Sequence, residues 1–392
     1  MTAKRVVIVG AGIAGLVAAL EAQAAGCAVT VLERGYPGGG NSGRNVGRIR
    51  RMQLTEELTR ISIAASDYWQ RIDTLLGGRN PLLFPTTYAL VLYGDDEAAH
   101  LGDLEPMWQA VGIDARLYDS ATTLKRVPIL QGGERPVGSV LSSAHLVHHD
   151  AAVHGAYLAA LERGIDVRLG VEALGFDVVG GAVVAVETTT GRIEADAVIN
   201  AADSKARGLA ETAGVSVPTH PMRREALVTH SIKPIMDQAV TFYRPFEGWF
   251  NQTLRGEIVA GVTDPDEPAG YNHDSSLQFA TRTASLLALK APSLLGLHAV
   301  RQWAGTYEYT PDRSPIVGAY SGVEGLYGLH GWSGRGMLLA PVSAALLVQE
   351  IVTDIRDPLM LPFAPQRFDG VEDEAGPHVD YYGGYSSVEA AS

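Results

Sequence analysis

Residues 4–33, KRVVIVGAGIAGLVAALEAQAAGCAVTVLE, decide the reading of this chain. Lys4 to Val9 is a short run of β-branched residues, the pattern of a buried strand. Gly10-Ala11-Gly12-Ile13-Ala14-Gly15 follows at once, and residues 16–25 are rich in Ala and Leu without Pro or Gly, which predicts a helix. Gly26 closes that helix, and residues 27–32 form a second strand tipped by Glu33. The three glycines have separate tasks: Gly10 for the tight turn, Gly12 for close approach to a pyrophosphate, and Gly15 for helix–strand packing. The helix N-terminus offers unspent N–H groups and partial positive charge to that pyrophosphate. Glu33, eighteen residues past Gly15, stands where a carboxylate accepts hydrogen bonds from a ribose diol. A glycine turn without a ligand is the competing reading. A signal peptide or anchor does not fit, because Glu21 and Gln23 interrupt the apolar run.

With 392 residues, the chain has ample length for one large or two interleaved domains. Its hydrophobic share of 46% and charged share of 19% are those of a globular protein. The net charge of -13 argues against nucleic acid and against an anionic membrane surface as partners. Cys27 is the only cysteine, so there is no intrachain disulfide and no thiolate metal cluster. With no targeting segment, a cytoplasmic location is expected.

Further along, residues 35–47 form a glycine-rich loop containing Ser42, Gly43, Arg44, Asn45, Val46 and Gly47. It reads either as a flexible linker or as a ligand-lining loop, followed by Arg48, Arg50 and Arg51. Helices are expected over 55–76, 97–111, 119–127, 151–163, 275–289 and 337–352. Strands are expected over 88–93, 166–169, 176–179, 182–188, 195–202 and 300–309. Residues 222–262 alternate as an antiparallel sheet, with Tyr243, Trp249 and Phe250 facing either a ligand or the core. Strand 326–329 then runs into a second glycine turn, Gly331-Trp332-Ser333-Gly334-Arg335-Gly336, with Met337 opening a helix. No acid-tipped strand follows it. The second turn therefore serves the first site, and the chain crosses between two domains more than once. The acidic end is expected to be ordered as far as Phe368.

These residues resemble the FAD-dependent amine oxidoreductases of the sarcosine, glycine and D-amino-acid oxidase family. The likeness is strongest to the beta subunits of heterotetrameric sarcosine oxidase and related dehydrogenases, and it runs in order along nearly the whole chain. It is carried by Asn41-Ser42-Gly43-Arg44-Asn45 with Ile49-Arg50, by His149-Asp150-Ala151, and by His220-Pro221 with Ala226-Leu227-Val228. Trp303-Ala304-Gly305, Thr310-Pro311-Asp312, Ser314-Pro315-Ile316, Gly318, Gly331-Trp332, Pro358-Leu359 and Pro362-Phe363 continue it.

The resemblance implies an α/β fold: a Rossmann-like FAD-binding domain interleaved with an α+β substrate domain on a mixed, largely antiparallel sheet. Residues 1–86, 143–220 and 300–356 would make the first, 87–142 and 221–299 the second, and 357–392 a tail. It implies non-covalent FAD in an extended pose, its ADP end on Gly10 to Gly15 and Glu33. Arg34 would lie near the adenine, Val171 would meet it through its backbone, and the flavin would lie between the 43–47 loop and the 331–336 turn. The helix starting at Gly336-Met337 would then place positive potential where charge collects on flavin reduction. Arg50 matches the family's arginine for a substrate carboxylate, a task suited to a guanidinium fork. Its competing reading is a surface charge or a pair with Glu56 or Glu57.

The implied reaction is hydride transfer from a neutral secondary amine, N-methyl amino acid or D-amino acid to flavin N5, giving an imine. Arg48, Arg50, Arg51, Arg223, Arg224 and Arg335 exceed what one carboxylate requires, which opens a phosphonate or dicarboxylic amine against plain surface charges. The sequence departs from the family in three places. No cysteine stands near Gly305, so covalent FAD there is excluded. Leu338 replaces a lysine, with Arg335 near enough to supply the charge or else to cap a helix. Asp203 replaces a glycine. His149 matches a histidine that carries a covalent FMN in the heterotetrameric enzymes, against a plain surface pattern. His145, His148 and His149 together raise a metal site, although carboxylates in motif spacing are lacking. The competing functions are a beta-type subunit of a larger complex, with homo- or hetero-oligomers both open, and an NADPH-dependent reductase or monooxygenase, which lacks its second nucleotide fold.

Overall fold

The computed structural model describes residues 3–371. β1 (Arg5–Val9) buries four of its five residues, as its β-branched composition requires. α1 (Ile13–Ala24) buries nine of its twelve, so it is a core helix rather than an amphipathic one. β2 (Ala28–Glu33) lies parallel to β1, with Val6 opposite Val29. On the other side of β1, Val6 faces Ala197 of the parallel strand Ala197–Asn200. The full six-stranded order is Ile316–Ala319, Leu326–His330, Ala197–Asn200, β1, β2, Asp166–Leu169.

One face of this sheet is covered by α1, by His149–Glu162 and by Gly336–Thr353, which bury Ile8, Leu16, Leu20 and Leu339 completely. Each such side chain contributes about 2 kcal/mol. Gly336–Thr353 has the length and mean hydropathy, 1.6 over 18 residues, of a membrane span. Its apolar surface is spent here against α1 and Glu56–Trp69. The other face is closed by an antiparallel sheet of Ala173–Val179, Ala182–Thr188 and Gly191–Glu194, through Phe176, Val183 and Val186.

A nine-stranded sheet forms the second layer. Its strands pair antiparallel except Phe84–Leu92 with Gln238–Phe242, which run parallel. Alternation sorts its faces. Leu227, Val240, Phe242, Phe250 and Ala260 join one apolar cluster with Phe279 and Leu286 of the Leu277–Lys290 helix. Arg48, Arg50, Tyr88, Arg224, Thr241, Tyr243 and Trp249 point the other way, into a cavity between the two layers. The aromatic residues left open by the sequence thus divide: Tyr243 and Trp249 line the cavity, and Phe250 is core.

Several expected elements shift. The helix over 55–76 breaks at Gln70 into Glu56–Trp69 and Ile72–Leu75. Arg48–Arg50, Arg116–Asp119, Gly138–Leu146 and Ile316–Ala319 are strands that pattern reading passed over. The first is three residues long, and Gly138–Leu146 is rich in Ser and lacks alternation. Segment 299–309, grouped above with the nucleotide-binding part, runs as Ala299–Tyr309 along the edge of the nine-stranded sheet beside His220–Thr229. Past Asp357 the chain forms a six-residue 3-10 turn over Pro358–Phe363 and a shorter one over Pro365–Phe368. The rest of the expected tail, 372–392, lies outside the described residues.

Candidate active site

The cavity has a volume of about 660 Å³, within the range of cofactor and ligand sites. Its first end is the turn after β1. Gly10 has φ +108, and a Cβ there would meet Ala201 O at 2.7 Å. A Cβ on Gly15 would stand 1.9 Å from Gly10 O, so the helix rests on the turn only because both positions are glycine. Ser42 Oγ accepts from Ile13 N at 3.0 Å, giving the α1 N-terminus a polar partner. Glu33 accepts from Ala11 N at 2.9 Å and from Gly35 N at 2.8 Å, which fixes its carboxylate at the rim of the turn. Val171 donates its N–H to Glu33 O at 3.0 Å. Arg34 lies 3.8 Å from Glu172, half exposed.

The loop after β2 forms the cavity's middle. Asn45 ties it internally, donating to Ser42 O at 2.6 Å and accepting from Gly47 N at 2.8 Å. Asn41 and Arg44 tie it to the nine-stranded sheet: Asn41 Oδ1 accepts from Thr306 N at 2.7 Å, and Arg44 Nη1 donates to Ala304 O at 3.2 Å. Trp303 Nε1 returns a bond to Arg44 O at 2.9 Å. Asn41 Nδ2 also donates to Asp203, which replaces the expected glycine at φ +48. Burial, and then the field of Glu308, push the Asp203 carboxyl up to about 8. Glu308 is itself fixed by Thr219 Oγ1 at 2.8 Å and by Gly331 N at 3.0 Å.

The far wall is the second glycine turn. Ser333 and Gly334 both have positive φ, and a Cβ on Gly334 would strike the Tyr307 ring at 2.4 Å. Gly336 then opens the long helix, so its first N–H groups face the cavity beside Met337 and Leu338. Arg335 is buried, donating from Nε to Gln53 Oε1 at 3.2 Å and from Nη1 to Arg313 O at 2.9 Å. Opposite stands the sheet face. Arg50 Nη1 donates to Tyr88 OH at 3.1 Å, and its guanidinium lies 4.9 Å from the Tyr88 ring centroid.

All the sequence-predicted site residues line this one cavity except Gly15, Gly43 and Gly331. Those three act through backbone packing, since a Cβ on each would strike Gly10 O, Gly38 O or Thr310. His149 is also outside the lining; its Nε2 lies 3.4 Å from Asp150 and its ring stacks on His148. Among the described residues no group of three or more His, Cys, Asp and Glu is arranged to hold a metal. Of the surplus arginines read from the sequence, Arg48 and Arg224 line the cavity and Arg51 and Arg223 do not; the cavity roles of Tyr88, Glu247 and Tyr307 were not read. For Arg48 the signal was its parity with Arg50, two residues on along one strand.

The arrangement fits an extended dinucleotide. Gly10 and Gly12 leave a cradle that any side chain would fill, since even a Cβ on Gly12 would come within 2.8 Å of Ser42 Oγ. The N-termini of α1 and of Gly336–Thr353 both line the cavity, and both favour negative charge. Gly10, Gly12, Ile13, Ala14 and Glu33 would hold the nucleotide half. Arg44 to Gly47 and Trp332 to Met337 would hold the ring.

A family model described as FAD dependent oxidoreductase matches residues 5–350. Sarcosine oxidase subunit beta of Rhodobacter capsulatus is 29% identical, covering 93% of this chain and 88% of its own. Glycine oxidase of Pseudomonas aeruginosa is 26% identical over 92% of this chain and 98% of its own. The crystal structure of L-proline dehydrogenase from P. horikoshii superposes with a TM-score of 0.87 at 24% identity, covering 94% of this chain and 99% of that one.

Proposed function

The chain belongs to the family of FAD-dependent oxidoreductases, and from that premise we propose that it oxidises the C–N bond of a small amine or amino acid to an imine. The observation that carries this is Arg50 on the sheet face, lining the same cavity as the open N-terminus of Gly336–Thr353. The names of the relatives, a sarcosine oxidase subunit and a glycine oxidase, support the same substrate class. FAD, when bound, supplies the acceptor for the two electrons and the hydrogen lost from the carbon beside the amine.

The chain's own residues do the rest. Arg50 anchors the substrate carboxylate with two parallel N–H donors and so fixes the amino acid's orientation. The Tyr88 ring beneath its guanidinium holds that fork in place. The N–H groups of Gly336 and Met337 stabilise negative charge gathering at the opposite wall. The substrate enters as the neutral amine, and its nitrogen proton leaves to solvent once the imine forms. Water then hydrolyses the imine to a carbonyl compound and the shorter amine or ammonia.

The test is anaerobic titration of the yellow protein with sarcosine, L-proline, glycine and D-amino acids. Bleaching of the visible bands by at least one of them is expected. A spectrum indifferent to every amine would sink the proposal.

A second reading is favoured by one observation. Three relatives, from Rhodobacter, Arthrobacter and Rhizobium, are named as beta subunits. On that reading the chain works within a hetero-oligomer. Affinity purification from its native cell followed by gel filtration tests this: a single species of 41.6 kDa or its multiples, fully active, would reject it.

A further inference from the structure

The reaction proposed above needs one guanidinium for one carboxylate. The same end of the cavity holds two more, Arg48 and Arg224. Arg48 is partly buried and open to the cavity. Its Nε, Nη1 and Nη2 donate to Asn251 Oδ1 at 3.0 Å, Thr241 Oγ1 at 2.8 Å and Val240 O at 3.2 Å, all neutral acceptors. Its Cζ lies 5.2 Å from the Trp249 ring centroid. Burial, and then the neighbouring Arg50, hold its pKa down to about 10, so it remains charged at neutral pH.

Arg224 stands on the His220–Thr229 strand. It donates to Arg223 O and to Tyr309 OH, each at 2.9 Å, and its buried Nε has no partner. Tyr307 and Glu247 are near enough to act electrostatically on both Arg48 and Arg224. Both arginines line the one cavity. Glu247 acts on both arginines and raises the pKa of each.

Buried charge is costly unless an opposite charge meets it. A guanidinium held by a side-chain amide, a hydroxyl and a carbonyl, next to a second guanidinium, is oriented but not neutralised. An orphaned Nε–H on a third makes the same demand. A monocarboxylate held by Arg50 would leave both unmet. We propose that the substrate is an amino dicarboxylate: Arg50 takes the carboxylate beside the reacting carbon, and Arg224 takes the second. This inference rests on the amine-oxidising reading.

The test uses the holoprotein and non-oxidisable acids, read as perturbation of the bound flavin's visible spectrum. Succinate and glutarate are expected to bind at least roughly 10-fold more tightly than propionate and butyrate, the worth of one charge-assisted hydrogen bond. Arg224→Gln is expected to cut diacid affinity by roughly 10- to 100-fold and bring the diacid-to-monoacid ratio near one, with Arg224→Lys restoring part of it. The ratio is an internal control, because a variant that merely folds poorly loses both classes together. Equal binding of propionate and succinate by the unaltered protein overturns the two-acid pocket. If sarcosine or proline still bleaches the flavin, amine oxidation stands without it. A diacid preference that survives Arg224→Gln overturns the assignment to Arg224. A flavin bleached by no amine, mono- or dicarboxylic, overturns both readings.

Discussion

The Asn41 amide donates to Asp203 across 2.5 Å, and its oxygen accepts from Thr306 N at 2.7 Å. One side chain thus joins the loop after β2 to both layers of the fold. Asp203 sits at a left-handed φ of +48, and desolvation first, then the nearby Glu308, raise its pKa to about 8. A protonated carboxyl suits that place: it can donate toward Glu308 while still accepting from Asn41.

That pKa sets a pH dependence. An unfolded aspartate titrates near 3.9. Between about 4 and about 8 the folded protein keeps a proton that the unfolded chain has released, so stability falls as pH rises through that window and levels above it. Asp203→Asn carries a permanently neutral amide of the same shape, and asparagine tolerates a left-handed backbone. The variant is expected to melt with the unaltered protein at about pH 4 and a few degrees above it at pH 8.5, followed by circular dichroism. Identical pH profiles for the two proteins would show that Asp203 does not hold the proton.

Gly12 and Gly15 separate ligand binding from folding. A Cβ on Gly15 would lie 1.9 Å from a backbone oxygen, which has no room to yield. Gly15→Ala is expected to destabilise the fold by about 2–4 kcal/mol, in the range of overpacked cores and strained turns. A Cβ on Gly12 would meet the end of the Ser42 side chain, which can rotate away. Gly12→Ala is therefore expected to fold as apoprotein at a cost of only about 1 kcal/mol, the bond from Ile13 N to Ser42, but to bind FAD at least roughly tenfold more weakly, since the methyl group occupies the pyrophosphate's approach. Urea melts and flavin fluorescence titration check the pair.

The nucleotide half was legible because its physics is local. A β-branched run, glycines where a side chain would strike backbone, and an acid at a strand tip are all written within thirty residues. The substrate face was legible only in parity. Tyr243 and Trp249 have opposite parity to Phe250 in their paired strands, but which parity faced the core depended on where the Leu277–Lys290 helix docked. Arg48–Arg50 is too short to show a period, so the pairing of Arg48 with strands distant in sequence was hidden. Asp203 had no account in sequence terms, because its meaning lies in Glu308 and Asn41, which no periodicity connects to it.

His149 provides a test of how flavin is held. Its imidazole sits beside Asp150 and against His148, with ring centroids 5.5 Å apart, and burial lowers its pKa. It is not part of the cavity wall, and the cavity wall has no cysteine. Acid precipitation is therefore expected to release all yellow colour into the supernatant as FAD, from the unaltered protein and from His149→Ala alike. Colour left in the pellet, and lost with His149→Ala, would instead assign a covalent FMN to that histidine.

Arg50 carries the sharpest kinetic expectation. Its guanidinium is positioned by the Tyr88 hydroxyl at 3.1 Å and by the ring below it. A fork-to-carboxylate contact is present both in the bound substrate and at the peak of the reaction, so its loss should appear mainly in KM. Charge-assisted hydrogen bonds are worth about 1.5–3 kcal/mol, which corresponds to roughly 10- to 150-fold. Arg50→Gln is expected to raise KM for the amino acid by that factor while kcat changes less. Arg50→Lys should fall between, because a point charge remains but the planar fork does not. Tyr88→Phe keeps the ring and removes the hydroxyl, so it should cost only a few-fold. Steady-state kinetics with the best-bleaching amine, together with spectral titration of its non-oxidisable carboxylate analogue, measure both quantities. If Arg50→Gln leaves KM and analogue binding unchanged, the carboxylate is held elsewhere on the sheet face, and Arg48 or Arg224 becomes its anchor.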